Sequence, residues 1–452
     1  MQADECYSSP QQHKMNKIAK YITLNFISIL FFGINSGFAQ QPITLNEAID
    51  ITLKNNLDIQ ISKNNEKISN INNHIGVAGG LPTVSGVINS NGQVTDLNQE
   101  LTNGTTINRT GVLSNNTNAG VTASMLLYNG GRVLATKKRL EELQRLSQEQ
   151  LNSTIQNAIA EVMFRYYSVV QQQNFQSTLR QSIEVSKQRL ALIEARRNVG
   201  LLGDSEYFQA QLDLNNQTQA LQTQNIAIEQ SKDDLLRTMV LSPNTEIIVK
   251  DTIVVDKEVP WEKIEVNLKR NPDLLAADIQ ININKIIERE TNARRYPSVT
   301  VNTGFNYLIN QSSAGFTLLN QNYGPFLGLG VIMPIYAGTA NIRQVQVAKV
   351  NTQNARLQLD IIDQNFQNTA AKAWEAYTSN IKLIESEQQN YQLAQKLLNL
   401  ITQKFQLGNA TIVDIIIAQQ SFENSGYRLN NLSYNAKVAE ITLKQVGNLL
   451  GK

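Results

Sequence analysis

The stretch "PFLGLGVIMPIYAGTANIRQVQVAKVNTQNARLQLD" (325–360) joins two incompatible periodicities. Its first part is apolar on both faces with glycine interleaved, and it reads as a β-strand. After "YAGTA" (336–340) the pattern changes to spacings of three and four: Val345, Ala348, Thr352, Ala355, Leu359, Ile362, Phe366, Thr369, Ala373 and Ala376. That spacing is the seam of a coiled coil. It predicts a helix over 339–407, which is 69 residues, or about 100 Å at 1.5 Å per residue. A globular core has no use for a helix of that length. A second row, Val347, Val350, Leu357 and Ile361, runs beside the seam. The helix is therefore expected to touch neighbours on two sides, as a stave in a cylinder does, and the small residues allow close approach.

The same passage occurs twice. "LNEAIDITLKNNLDI" from Leu45 matches "PWEKIEVNLKRNPDL" from Pro260 at an offset of 215, which also pairs Pro82 with Pro297. Tyr128, Gly130, Gly200 and Leu235 match Tyr336, Gly338, Gly408 and Leu443 at an offset of 208. Constant offsets over such lengths indicate a duplicated unit. The first repeat is placed at 40–242, with a strand pair in 82–128, a long helix at 131–199 and a return helix at 204–241. After a connector at 243–260, the second repeat covers 261–452, with a strand pair in 297–336, the long helix at 339–407 and a return helix at 411–450. The return helix of 38 residues and the segment 57–80 of 24 together could line the long helix end to end.

Composition narrows the function. With 40 Lys and Arg against 38 Asp and Glu, no basic excess points to nucleic acid. The single cysteine, Cys6, allows no intrachain disulfide. The two histidines, His13 and His74, make no metal site, and no paired carboxylates stand in a catalytic context, so no cofactor and no enzymatic activity are expected. Residues 1–39 read as a signal peptide with an upstream extension over 1–14: Lys17 and Lys20, the apolar run "ITLNFISILFFGI", and the small residues "GFA" (37–39) before the expected cleavage. No later segment has 18 consecutive apolar residues, so residence in a membrane would have to be through β-strands.

The strands support that reading. In "SVTVNTGFNY" (298–307), Val299, Val301, Phe305 and Tyr307 share one face and Ser298, Thr300, Asn302 and Asn306 the other. Val121, Ala123, Met125 and Leu127 alternate against Thr122 and Ser124. Each run is expected to be about 10 residues, the length of a tilted membrane strand. "NGQVTDLNQELTNGTTINRTGVLSNNTNAG" and "NQSSAGFTLLNQNYG" read as long polar loops between the paired strands. The expected architecture is mostly α, with a membrane β-barrel portion and long coiled-coil helices. A trimeric coiled-coil stalk, as in a surface adhesin, is the alternative. Such a stalk would have no need of duplicated strand pairs or return helices.

Taken together, these motifs resemble the TolC family of outer-membrane efflux ducts. The resemblance covers nearly all of the chain after the signal. It rests on "ITLNEAIDITLKNNLDI", on "LLYNGGR" and "PIYAGTA" where strands enter long helices, and on the turns "VGLLGDSEYFQAQ" and "LGNATIVDIIIAQ". It implies a homotrimer in the bacterial outer membrane, in contact with its lipid. Each chain would give four strands to a twelve-stranded barrel above a periplasmic helical tunnel. It also implies docking to a periplasmic adaptor protein and, through it, to an inner-membrane pump.

The two turns are the candidate site. By helix-end chemistry Gly200 and Gly408 terminate the long helices. Thr411 caps the return helix with Asp414 as its capping-box partner. Gly203 or Asp204 caps the other, with Glu206 in the acidic place. The resemblance implies that Gly200, Gly203, Glu206, Gly408, Asn409 and Thr411 lie in tip turns that meet the adaptor. It further implies that Asp414, Ile417, Ala410 and Phe405 surround the periplasmic aperture. Ile417, Ala410 and Phe405 depart from the family's acidic, arginine and tyrosine residues at those places. An apolar constriction at Ile417, or a looser closed state, rather than a polar latch, is the expectation for this chain.

Overall fold

The computed structural model describes residues 41–450. The expected signal peptide lies outside the described residues.

Helix-end signals set the first elements. Thr44 and Glu47 form a capping box ahead of α1 (Leu45–Asn55), and Asn56 accepts from the Ile59 amide at the start of α2 (Leu57–Asn72). Strands β2 (Thr83–Glu100) and β3 (Thr106–Tyr128) follow β1 (Gln41–Pro42) and these helices. Then come the long helix α3 (Arg132–Asn198) and its return helix α4 (Asp204–Thr238). A short β4 (Ile247–Ile248) pairs with β1 in parallel. The same order recurs as α5 (Trp261–Leu268), α6 (Pro272–Ala293), β5 (Ser298–Ser312), β6 (Leu319–Ile332), α7 (Ala340–Gln406) and α8 (Ile412–Val446). Helices α3 and α7 have 67 residues each, or about 100 Å.

The shorter helices meet end to end along the long ones. Asn55 Nδ2 donates to the Met239 carbonyl at 3.5 Å, where α4 ends near the start of α2. Asn271 Nδ2 donates to the Val446 carbonyl at 3.1 Å, joining α8 to α6 in the same way. The helices pack as one layer, in the order α2, α3, α6, α7 beneath the strands and α4, α3, α8, α7 towards the turns. The strands form one antiparallel sheet in the order β2-β3-β5-β6.

The strands are longer than the sequence suggests. β2 and β3 have 18 and 23 residues and pair through most of the stretch expected to be a polar loop. The reverse turn is confined to the segment around Gly104, where Gly104 N donates to Leu101 O and Leu101 N to Thr105 O. β5 and β6 likewise absorb most of the second polar segment, and β6 stops at Ile332 rather than running to 336. Ladder hydrogen bonds are made by the backbone, so polar side chains do not end a strand where both faces meet water.

The sheet's exposure is inverted relative to a soluble protein. Val84, Ile88, Leu327 and Leu329 are 70, 79, 77 and 67 % exposed. On the opposite face Thr122, Ser124, Asn302 and Asn306 are half-buried. Register aligns the apolar face across the strands: Val84 opposes Ala123, Met125 opposes Val301, and Val301 opposes Leu329. An apolar face turned outward over a polar inner face is the pattern of a lipid-facing barrel wall. Gly304 is required inside that wall, because a Cβ there would sit 2.1 Å from the Val121 carbonyl oxygen.

The main core is a belt near the middle of the helices. Val162, Tyr166, Val169 and Val170 of α3 pack on Leu235, Met239, Ile247, Val249 and Ile441. Tyr166 Oη lies 3.1 Å from the Ile43 carbonyl and 3.2 Å from Asp251 Oδ2, two acceptors for its one proton. Burial pushes the Tyr167 hydroxyl up to about 12. The connector between the repeats is strapped to α8. Glu440, 1 % exposed, accepts from the Asp256 amide and from Lys437 and Lys444, while Lys437 Nζ also donates to the Val254 carbonyl at 2.8 Å. Trp261 and Trp374 pack against each other with centroids 5.3 Å apart and ring planes tilted by 47°, and Tyr377 Oη donates to the Asp256 carbonyl. Tyr166 of α3 and Tyr377 of α7 therefore fix the connector to the belt.

Candidate functional site at the helical tip

The two turns lie together at the end of the helical layer farthest from the sheet. Each long helix ends on a glycine with positive φ, Gly200 at 76° and Gly408 at 81°. The chain then reverses with backbone bonds from Leu201 N to Arg196 O and from Asn409 N to Lys404 O. Glycine adopts this left-handed backbone without the strain a Cβ would bring.

On the second turn the capping box is complete. Asp414 N donates to Thr411 Oγ1 at 3.2 Å, and Asp414 Oδ2 accepts from Thr411 N and Oγ1 at 2.8 and 2.7 Å. The Thr411 amide hydrogen bond, then its hydroxyl, hold the Asp414 carboxyl below the usual carboxylate range, although the group is open to solvent. On the first turn Gly203 is the cap residue and supplies no side chain. Asp204 pairs with Arg197 at 2.6 Å, and Ser205 Oγ donates to Glu206 at 2.7 Å, lowering the Glu206 pKa.

Beneath the turns Ile193, Ala210, Phe405 and Ile415 make a small buried cluster, with Leu202, Tyr207, Ala410 and Ile412 against it. This distributes the residues assigned to the aperture. Phe405 is buried inside the hairpin pair and Ala410 rests on the same cluster. Asp414 and Ile417 face solvent. Exposed apolar side chains ring the turns: Val199, Leu201, Leu407 and Val413.

Sequence reasoning missed the residue that ties the two hairpins together. Arg196 Nη2 of α3 donates to the Phe405 carbonyl at 2.9 Å and the Gln406 carbonyl at 3.3 Å, both at the end of α7. Its guanidinium stands over the Phe405 ring at 5.2 Å. A cation at a helix C-terminus satisfies carbonyls that have no intrahelical partner. An arginine in the last turn of α3 was visible in the sequence, but its own helix end was the natural partner to assign. Farther up, Ser182, Ser186, Gln217, Gln419 and Glu423 form a polar seam between the hairpins, with Gln419 Nε2 2.9 Å from Ser186 Oγ. Among the described residues no cluster of side chains has the composition of a metal site.

A duplicated strand pair with an apolar outer face, continuous with helices about 100 Å long, defines a channel wall spanning an outer membrane and a helical conduit. The outer membrane efflux protein family model matches residues 48–239 and 264–449, and the chain belongs to that family. It is 19 % identical over 417 residues to the outer membrane efflux protein BepC of Brucella suis, covering 92 % of this chain and 88 % of BepC. Its fold is similar to that of the outer membrane protein VceC of Vibrio cholerae, with a TM-score of 0.71 at 16 % identity over 89 % of this chain and 95 % of that one. The Campylobacter jejuni CmeC outer membrane channel gives a TM-score of 0.74 at 16 % identity, over 89 and 85 % of the two chains.

Proposed function

We propose that the chain is the outer-membrane duct of a tripartite efflux or secretion system, conducting solutes from a periplasmic adaptor and inner-membrane pump to the exterior. In this reading it acts as a homotrimer and performs no chemistry. The observation that carries it is the open single layer. Among the described residues β2 and β6 are sheet edges with no strand on their outer side, and α4 and α7 are edge helices with no helix on their outer side. Val347, Val350 and Leu357 on α7 and Phe208 and Leu212 on α4 are more than half exposed. Such a layer cannot be stable alone, since exposed edges and apolar rows call for a partner. Strand direction alternates from β2 to β6, so β6 of one copy can pair antiparallel with β2 of the next. A head-to-tail contact of this kind closes into a ring when the rotation between copies completes a full turn. Three copies give the twelve strands that the resemblance implies.

The tip turns with their exposed apolar collar are then the adaptor surface, and Asp414 and Ile417 the aperture. Arg196 acts as the clasp of the closed tip, a role the sequence reading left to an apolar constriction. The test is conductance of the purified protein in planar bilayers, together with disulfide crosslinks between cysteines placed on β2 and β6. A protein that stays monomeric and passes no current is no duct.

A further inference from the structure

The inner face of the sheet carries a feature that neither lipid contact nor pairing requires. Register places Asn91 opposite Asn116, Asn116 opposite Asn310, and Asn310 opposite Asn320. These four amides form one row across all four strands, on the same face as the half-buried Asn302 and Asn306. The neighbouring row carries Asn89, Asn118 and Asn322, with Leu308 between the last two. Among the described residues, none of these seven side chains makes a side-chain hydrogen bond, and Oδ1 of Asn118 and of Asn310 is covered without any donor. The strands hold only three charged residues, Asp96, Glu100 and Arg109, and all lie beyond the rows towards the β2–β3 turn. A cleft of about 450 Å³ opens on the row, lined also by Gln93 and Ser312.

Each amide offers two donors and one acceptor with two lone pairs. Adjacent asparagines in a row can satisfy one another, as ladders in fibrils do, yet these do not. Unspent donors and acceptors without a formal charge match a ligand that is rich in hydroxyl groups and itself neutral. A charged ligand would lose hydration and meet no opposite charge here. We propose that this amide band is a binding site for uncharged, hydroxyl-rich solutes, of the chemical class of oligosaccharides. The site rests on the reading of this face as the inner wall of a duct, where repetition in each copy would make it a ring.

The test is calorimetric titration of maltohexaose into the full-length protein in detergent, for wild type, Asn116→Leu/Asn310→Leu and Asn116→Gln/Asn310→Gln. Saturable binding is expected in wild type and in the glutamine variant. It should weaken about tenfold or more in the leucine variant, the loss of roughly two net hydrogen bonds. Binding should be insensitive to salt, because no ion pair forms. Absence of saturable heat in wild type, or equal affinity in the leucine variant, overturns the site. The glutamine variant separates lost amides from a disturbed barrel: loss of binding in both variants also counts against specific amide recognition. Single-channel current from the same wild-type preparation tests the duct independently. Binding without current refutes the duct and leaves the site standing, and current without binding does the reverse.

Discussion

Replacing Arg196 with alanine should open the tip. The side chain makes two hydrogen bonds to carbonyls at the end of α7, at 2.9 and 3.3 Å, and covers the Phe405 ring at 5.2 Å. Hydrogen bonds from a charged group contribute about 1 kcal/mol each when partly solvated, and a half-exposed cation–π contact adds about 0.5 kcal/mol. The clasp is therefore worth about 2 to 3 kcal/mol in any state where the hairpins touch. If the hairpins part when the tip opens, its loss shifts that equilibrium roughly thirty- to hundredfold, since 1.4 kcal/mol is tenfold. The assay is single-channel recording, reading the fraction of time in the high-conductance state. Arg196→Lys should lie between, because an ammonium keeps the attraction to the helix end but loses the planar fork. The hydrophobic cluster of Ile193, Phe405 and Ile415 remains in both variants, so the fold should persist. An open fraction in Arg196→Ala equal to wild type would refute the clasp. It would leave the apolar cluster as what holds the hairpins together.

Four further outcomes follow from the geometry. Glu440→Ala leaves Lys437 and Lys444 without their shared carboxylate, and because Lys437 and Glu440 side chains are only 8 and 2 % exposed, it should cost about 3–5 kcal/mol. Thermal unfolding by circular dichroism checks this, and Lys437→Met/Glu440→Leu should recover most of the loss. Thr411→Ala should destabilise the tip by about 1 kcal/mol, read as faster amide exchange at the start of α8. Asp414 has a lowered pKa in the folded chain, so its stabilisation is present above the ordinary carboxylate value of roughly 4 and is lost as pH falls through the lowered one. Asp414→Asn should remove that acid dependence of tip exchange. Gly304→Val should abolish barrel assembly, because even a Cβ at that position meets the Val121 carbonyl at 2.1 Å, and heat-modified mobility on gels would show the absence of assembled oligomer.

The long helices, their glycine stops and the Thr411–Asp414 box were legible because each is a local matter of periodicity and helix-end chemistry. The alternating strands were legible for the same reason, but their ends were not. Polar residues from Asn91 to Asn118 look like loop in sequence and pair as strand in the structure, since the ladder is made by backbone groups whose partners lie far along the chain. The role of the glutamines on the helix faces came only from packing. Gln171, Gln217 and Gln419 reach across helices to Asn431, Ser186 and Ser182.

The sequence by itself determined the repetition of the unit, the length of the staves and the chemistry of each helix end, all of which depend on neighbours within a few residues or on a fixed offset. Only the tertiary structure decided that Phe405 is buried while Asp414 and Ile417 are exposed, that Arg196 serves the end of another helix, and that asparagines from four strands share one row. Those depend on which way a helix is turned and on strand register, and both are fixed by contacts between residues as far as 209 and 260 positions apart.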